Sequence, residues 1–160
     1  MLLAPSPRRT GATAVETAIV LSVLFLLVCG LIIGGIGVFR HQQVTCLACE
    51  GARWASTHGG EYEKEPNTSA VSLQQIIDQA VTPKTVGMNP ADVSVKVEWI
   101  DRSTDTAWDW DSAPRDMRSI TPMGEYVSNT VRVTVTYRWP AGMFWGTTTM
   151  QSVCELPMSN

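Results

Sequence analysis

Gly11-Ala12-Thr13-Ala14-Val15-Glu16, followed by a run without a single charge from Thr17 to Phe39, decides how this 160-residue chain is read. A helix rising about 1.5 Å per residue crosses a hydrocarbon core of about 30 Å over such a run. From Arg40 onward, charged and polar residues interrupt every apolar stretch, so one membrane span is expected. A carboxylate at the edge of a span is costly, which makes Glu16 a functional residue by default.

Arg8 and Arg9 precede the run and favour an amino terminus kept in the cytoplasm. Arg40 and Arg53 lie on the other flank, but the short leading tail is easier to retain than the long carboxyl-terminal part. The expected topology is a single-pass inner (cytoplasmic) membrane protein, N-in and C-out. A cleaved secretory signal fits poorly, because the apolar run is long and no small-x-small site follows it before Arg40. A lipoprotein signal fits no better, since Val28 rather than a small residue precedes Cys29.

Small residues at Gly11-Ala12 offer a peptidase an open bond at the membrane face. Cleavage there would create an α-amino group with a pKa near 8. If Glu16 of the same or a neighbouring subunit lay close to it, each charge would lower the cost of the other at low dielectric. Such a pair would select one axial register between packed helices. The other reading of Glu16 is an interfacial acid at a helix start, favoured by the helix dipole.

The chain here resembles type IV prepilins, with a short basic leader ending in Gly11. More narrowly, it resembles the TadE-like family, the minor pseudopilins of tight-adherence (Flp-type) pilus systems. The resemblance rests on residues 9–16 leading into the helix, on Gln42-Gln43 with Ala48-Cys49-Glu50-Gly51-Ala52-Arg53, and on two late strands, Val131 to Tyr137 and Thr147 to Glu155. It departs at Thr17, where many relatives carry an aromatic, and at Cys49, where a basic residue is common. It implies processing between Gly11 and Ala12, and an assembly role for Glu16 as fifth residue of the mature chain. The implied function is a non-enzymatic part in pilus assembly. The implied partners are other pilin-like subunits, a prepilin-type peptidase and the membrane, with no cofactor, metal, nucleic acid or small-molecule substrate.

Within the span, Gly30 and Gly34 stand in a G-x-x-x-G relation that lets a second helix approach closely. Beyond Phe39, helical spacing continues through Val44, Leu47, Ala48, Gly51, Ala52 and Ala55, which extends the helix to about Ser56. In the pilin plan this face receives a sheet. The expected division is a leader at 1–11, the helix and its extension at 12–58, and an exported domain at 59–160.

Gly59-Gly60 and the polar stretch to Asn67 break the helix. Ser72 then opens a short helix through Leu73, Ile76, Ile77 and Ala80 that ends before Pro83. Alternation marks strands at Val93 to Trp99 and Val131 to Trp139, and Pro140-Ala-Gly142 turns the chain into a third. The fold class is α+β, with an antiparallel sheet of about three strands.

Cys154 could pair with Cys46 or Cys49 if the domain is exported, stapling the last strand to the long helix. A redox role for Cys46-x-x-Cys49 lacks the preceding strand, and His41, His58 and the cysteines follow no zinc spacing. Trp108-Asp-Trp-Asp111, within a stretch from Asp101 to Tyr126, reads as a hairpin loop covering the sheet edge. A calcium or sugar site is the alternative, and only Asp109 and Asp111 are tightly spaced. No nucleophile elbow, phosphate loop or catalytic cluster is present, and a net charge of −3 without a basic stripe argues against nucleic acid. The competing function is an uncleaved, membrane-anchored extracytoplasmic binding module.

Overall fold

The computed structural model describes residues 10–66, 68–140 and 146–159. Arg8 and Arg9, Asn67, and the expected turn beyond Pro140 lie outside the described residues. The chain divides into two units, Met1–Val38 and Phe39–Asn160.

Helix α1, Thr10–Ser56, has residues in both. From Thr17 to Val38 it carries no charge and has large apolar side chains on every side, with Phe25, Leu26 and Leu31 each more than two-thirds exposed. A helix without a polar face suits a lipid surround and no aqueous one. Two hydroxyls in this run are spent internally: Thr17 Oγ1 donates to the Thr13 carbonyl and Ser22 Oγ to that of Ala18, each at 2.8 Å. Neither side chain carries an unmet donor into an apolar medium.

In the second unit, strands β1 (Val93–Asp101), β2 (Thr106–Asp109), β5 (Thr130–Pro140) and β6 (Thr147–Pro157) form an antiparallel sheet in the order β2-β1-β5-β6. The α+β class holds, and the sheet has four strands where about three were expected. β2 escaped the alternation test because all four of its residues are exposed. It is placed by a turn: the backbone N–H and hydroxyl of Ser103 donate to Asp101 Oδ1 at 2.8 and 2.7 Å, Asp105 takes a left-handed φ of 56°, and Trp108 lands opposite Trp99.

The inner face of β5 presents Val131, Val133, Val135 and Tyr137, all buried, in register with β1 and β6. Against it sits the carboxyl-terminal part of α1, whose Val44, Leu47, Ala48, Ala52 and Ala55 are at most 1% exposed. Gly51 makes the close approach. A Cβ there would stand 3.2 Å from Val133 Cγ1 and 3.5 Å from Val81 Cγ2.

The short helix is more irregular than its sequence suggests. Ser72 caps it through a reciprocal capping box with Gln75, and α2 itself is only Leu73–Ile76. The chain then widens into a π-helical stretch, Ile77–Val81, and tightens into a 3-10 turn, Thr82–Lys84, that contains Pro83. Helical winding therefore runs one residue past Pro83 instead of ending before it: Pro83 is the second residue of this 3-10 turn, where the N–H that proline lacks has no partner within the turn. The switch in winding keeps Ile76, Ala80 and Val81 buried together.

A second, two-stranded sheet pairs β3 (Arg118–Ile120) with β4 (Tyr126–Ser128). Asn129, fully buried, ties it to the main sheet. Its Nδ2 donates to the Asp116 carbonyl and Ser119 Oγ, its Oδ1 accepts from the Arg102 N–H, and its carbonyl accepts from Met158.

Candidate functional site: the N-terminal helix and the elements seated on it

Gly11 lies in the first turns of α1 and Ala12 follows it on the helix. Glu16 is exposed, and among the described residues it has no ion-pair partner. Gly30 and Gly34 are one turn apart on the apolar stretch, and a Cβ built at either meets nothing within 4 Å. Their backbone surface is open to close approach by another helix. One helix of the described residues is long and apolar enough to cross a membrane, and it is this one, near the amino terminus.

Where α1 ends, its last carbonyls find partners in the following side chains. Thr57 Oγ1 donates to the Trp54 carbonyl at 2.9 Å, and the ring of His58 contacts the same oxygen through Nδ1 at 2.8 Å. The His58 ring stacks on Trp54 at 3.9 Å and leans on Tyr62 at 4.6 Å. These rings and Thr68, Gln75 and Gln79 border a polar cleft of about 190 Å³. His58 is thus engaged in closing the helix, and no three His, Cys, Asp or Glu side chains among the described residues converge as metal ligands would. Gly60 follows under steric necessity: its N–H donates to the Arg115 carbonyl at 2.8 Å, and a Cβ would stand 3.0 Å from the Pro114 oxygen.

The Trp108 to Asp111 segment divides into two unlike halves. Trp108 is about half exposed, whereas Trp110 is buried and donates through Nε1 to the Val71 carbonyl at 2.8 Å. Asp111 Oδ1 accepts from the Leu73 N–H at 2.8 Å and so secures the start of α2. Arg115 lies over Trp110 at 5.7 Å, donates to the same Val71 carbonyl, and pairs with Glu63 at 2.7 Å. Sequence reasoning passed over Asn129, Arg115 and Glu63. No spacing marks side chains whose partners are distant in the chain, as are Glu63 for Arg115 and the Asp116 carbonyl for Asn129.

The cysteines separate by position. Cys46 and Cys49 are exposed on α1, Cys154 is half-buried on β6 opposite Val133, and all are free thiols. Of the two cysteines beyond the apolar run on α1, Cys49 is the one whose proximity acts on the Cys154 thiol. Burial, then the bond and charge of Cys49, push it up to about 11.

Residues 11–53 match the family model for TadE-like proteins. The match begins at Gly11, takes in Glu16, Gly30, Gly34 and both α1 cysteines beyond the apolar run, and ends at Arg53 inside α1. The sheet, including the two late strands, lies outside it. No curated protein and no solved structure matches the chain. The TadE-like segment is therefore the helix, including the small-residue face that packs on β5.

Proposed function

We propose that this protein is a minor pilin-like subunit, a pseudopilin, of a tight-adherence (Flp-type) pilus system. It is inserted N-in and C-out, processed between Gly11 and Ala12 by a prepilin-type peptidase, and associates with other pilin-like helices in the membrane. Its part is structural and not enzymatic. The observation that carries this reading is the coincidence of the TadE-like match with a helix that changes character along its length. One stretch has no polar face and open glycines, and the next is built into the core of a sheet domain. The match and the apolar helix fit a pilus-associated, membrane-anchored protein.

In this reading Glu16 meets the α-amino group released at Ala12, on its own or a neighbouring subunit, and sets the axial register of the packed helices. Gly30 and Gly34 admit the neighbour at close range. The mature amino terminus, read by mass spectrometry of membrane-extracted protein, tests the proposal directly. A chain starting at Ala12 supports it, and a chain retaining Met1 or Leu2 overturns it. Glu16→Gln should leave cleavage intact while weakening crosslinking between subunits.

A further inference from the structure

We infer that Cys49 and Cys154 form a disulfide in the native protein, covalently fastening the edge strand β6 to helix α1, while Cys46 stays a free thiol. This rests on the C-out orientation proposed above, because a cystine persists in an oxidising compartment and not in the cytoplasm.

The packing on this side of the sheet selects the pair. Gly51 brings α1 against Val133 of β5, and Cys154 is the cross-strand neighbour of Val133 on β6. The inward row on the helix is Leu47, Ala48 and Gly51. At about 100° per residue, Cys46 lies close to half a turn from that row, on the far side of the helix. Glu50 pairs with Lys84 at 2.9 Å on the flank where Val81 and Thr82 meet Val93 and Val95 of β1, so Cys49, on the opposite flank and one turn before buried Ala52, lies on the side of β6. Cys46 and Cys49 are three residues apart on one helix, where Cβ atoms stand about 5–6 Å apart, beyond the span of an unstrained disulfide.

Closure requires an oxidant, here a protein disulfide of the thiol-oxidising class. The exposed Cys49 thiolate attacks one sulfur of that disulfide, whose S–S bond breaks to release one thiolate and leave a mixed disulfide on Cys49. Cys154, after losing its proton to solvent, attacks the Cys49 sulfur, and the S–S bond to the oxidant breaks. The chain loses two electrons and two protons, and the oxidant is left as a dithiol. Cys49 acts first because its thiol is accessible, whereas that of Cys154 is half-buried and held protonated.

Among the described residues, β6 pairs with β5 alone. A covalent tie across so long a loop would raise the folded-to-unfolded ratio by roughly two to three orders of magnitude.

The test uses the full chain in mild detergent, equilibrated across oxidised and reduced glutathione and digested with trypsin. The His41–Arg53 peptide carries both helix cysteines, so fragmentation of the linked peptide reports which one is bonded. The expected result is Cys49 to Cys154, abolished by Cys49→Ser and kept in Cys46→Ser. A dominant Cys46 to Cys154 or Cys46 to Cys49 link, or no link under oxidising conditions, overturns the inference without reference to any variant. Acid-quenched cells are then alkylated before and after reduction, with protease access to the domain in spheroplasts read in parallel. An accessible domain with Cys49 and Cys154 blocked supports the inference, and an accessible domain with both thiols free overturns it. A protected domain with free thiols overturns the orientation, and with it the native disulfide, even if the pair closes in detergent.

Discussion

Two stretches of one helix, before and after Phe39, both carry apolar residues at helical spacing, in opposite circumstances. In the first, large side chains such as Leu31 stand exposed all round. In the second, small ones such as Ala48 and Ala52 are sealed against the sheet. The difference teaches that hydrophobicity alone does not tell a core helix from a span; the size and arrangement of the apolar residues do. Bulk on every side calls for a fluid surround, whereas alanine and glycine on one face call for a fixed partner at close range.

The sharpest way to break this comparison is to place the same charge in each stretch. Ala48→Asp should cost more than about 4 kcal/mol of domain stability, because the carboxylate would be buried without a partner. The measurement is urea unfolding of detergent-solubilised protein followed by tryptophan fluorescence. Leu31→Asp should leave that curve unchanged and instead lower membrane retention under carbonate extraction, at about 3 kcal/mol of insertion free energy. Equal loss of domain stability in both would erase the distinction between the stretches.

Glycines sharpen it further. Gly51→Leu should destabilise the domain by about 1–3 kcal/mol through overpacking against Val133 and Val81. Gly34→Leu has open space and should leave the unfolding midpoint unmoved while reducing association between subunits. A tolerant Gly51 would mean that the helix can lift from the sheet.

A smaller contrast separates the two tryptophans of the 108–111 segment. Trp110→Phe removes a buried donor to Val71 and should cost about 1–2 kcal/mol. Trp108→Phe should fall within about 0.5 kcal/mol of the parent. The smallest effect is electrostatic. Burial raises the Asp101 carboxyl, but bonds from the hydroxyl and N–H of Ser103 and from Ser119 and Thr104 outweigh it, leaving it below its ordinary 3.8. A depressed folded value stabilises above 3.8 and is lost as pH falls through it, so Asp101→Asn should flatten the acid limb of the stability profile.

These contrasts also show what could be read from sequence. The helix was legible because an uncharged run and a 3.6-residue period are long-range signals, and β1, β5 and β6 were legible from alternation. β2 was not, since an exposed four-residue edge strand has no buried face to announce it. The π-helical stretch at Ile77–Val81 was hidden because its residues fit an ordinary helix equally well. The Trp/Asp segment, expected as a hairpin loop covering the sheet edge, instead supplies the edge strand β2 and the turn after it, and which tryptophan is buried depends on the distant Val71 carbonyl. The cysteine partner stays open between Cys46 and Cys49 in the sequence because their order around the helix matters only relative to a strand that is distant in the chain.

The carboxyl-terminal end of the sheet returns to the helix, where the N–H and hydroxyl of Ser159 donate to the Ser56 carbonyl at 2.9 and 3.1 Å. Mechanically, this makes β6 a shared girder. It is laddered to β5 along eleven residue pairs and latched to the last turn of α1 just beyond its end. A tug on the helix is handed to this strand and spread over the whole ladder, so the domain resists being drawn off its own stalk.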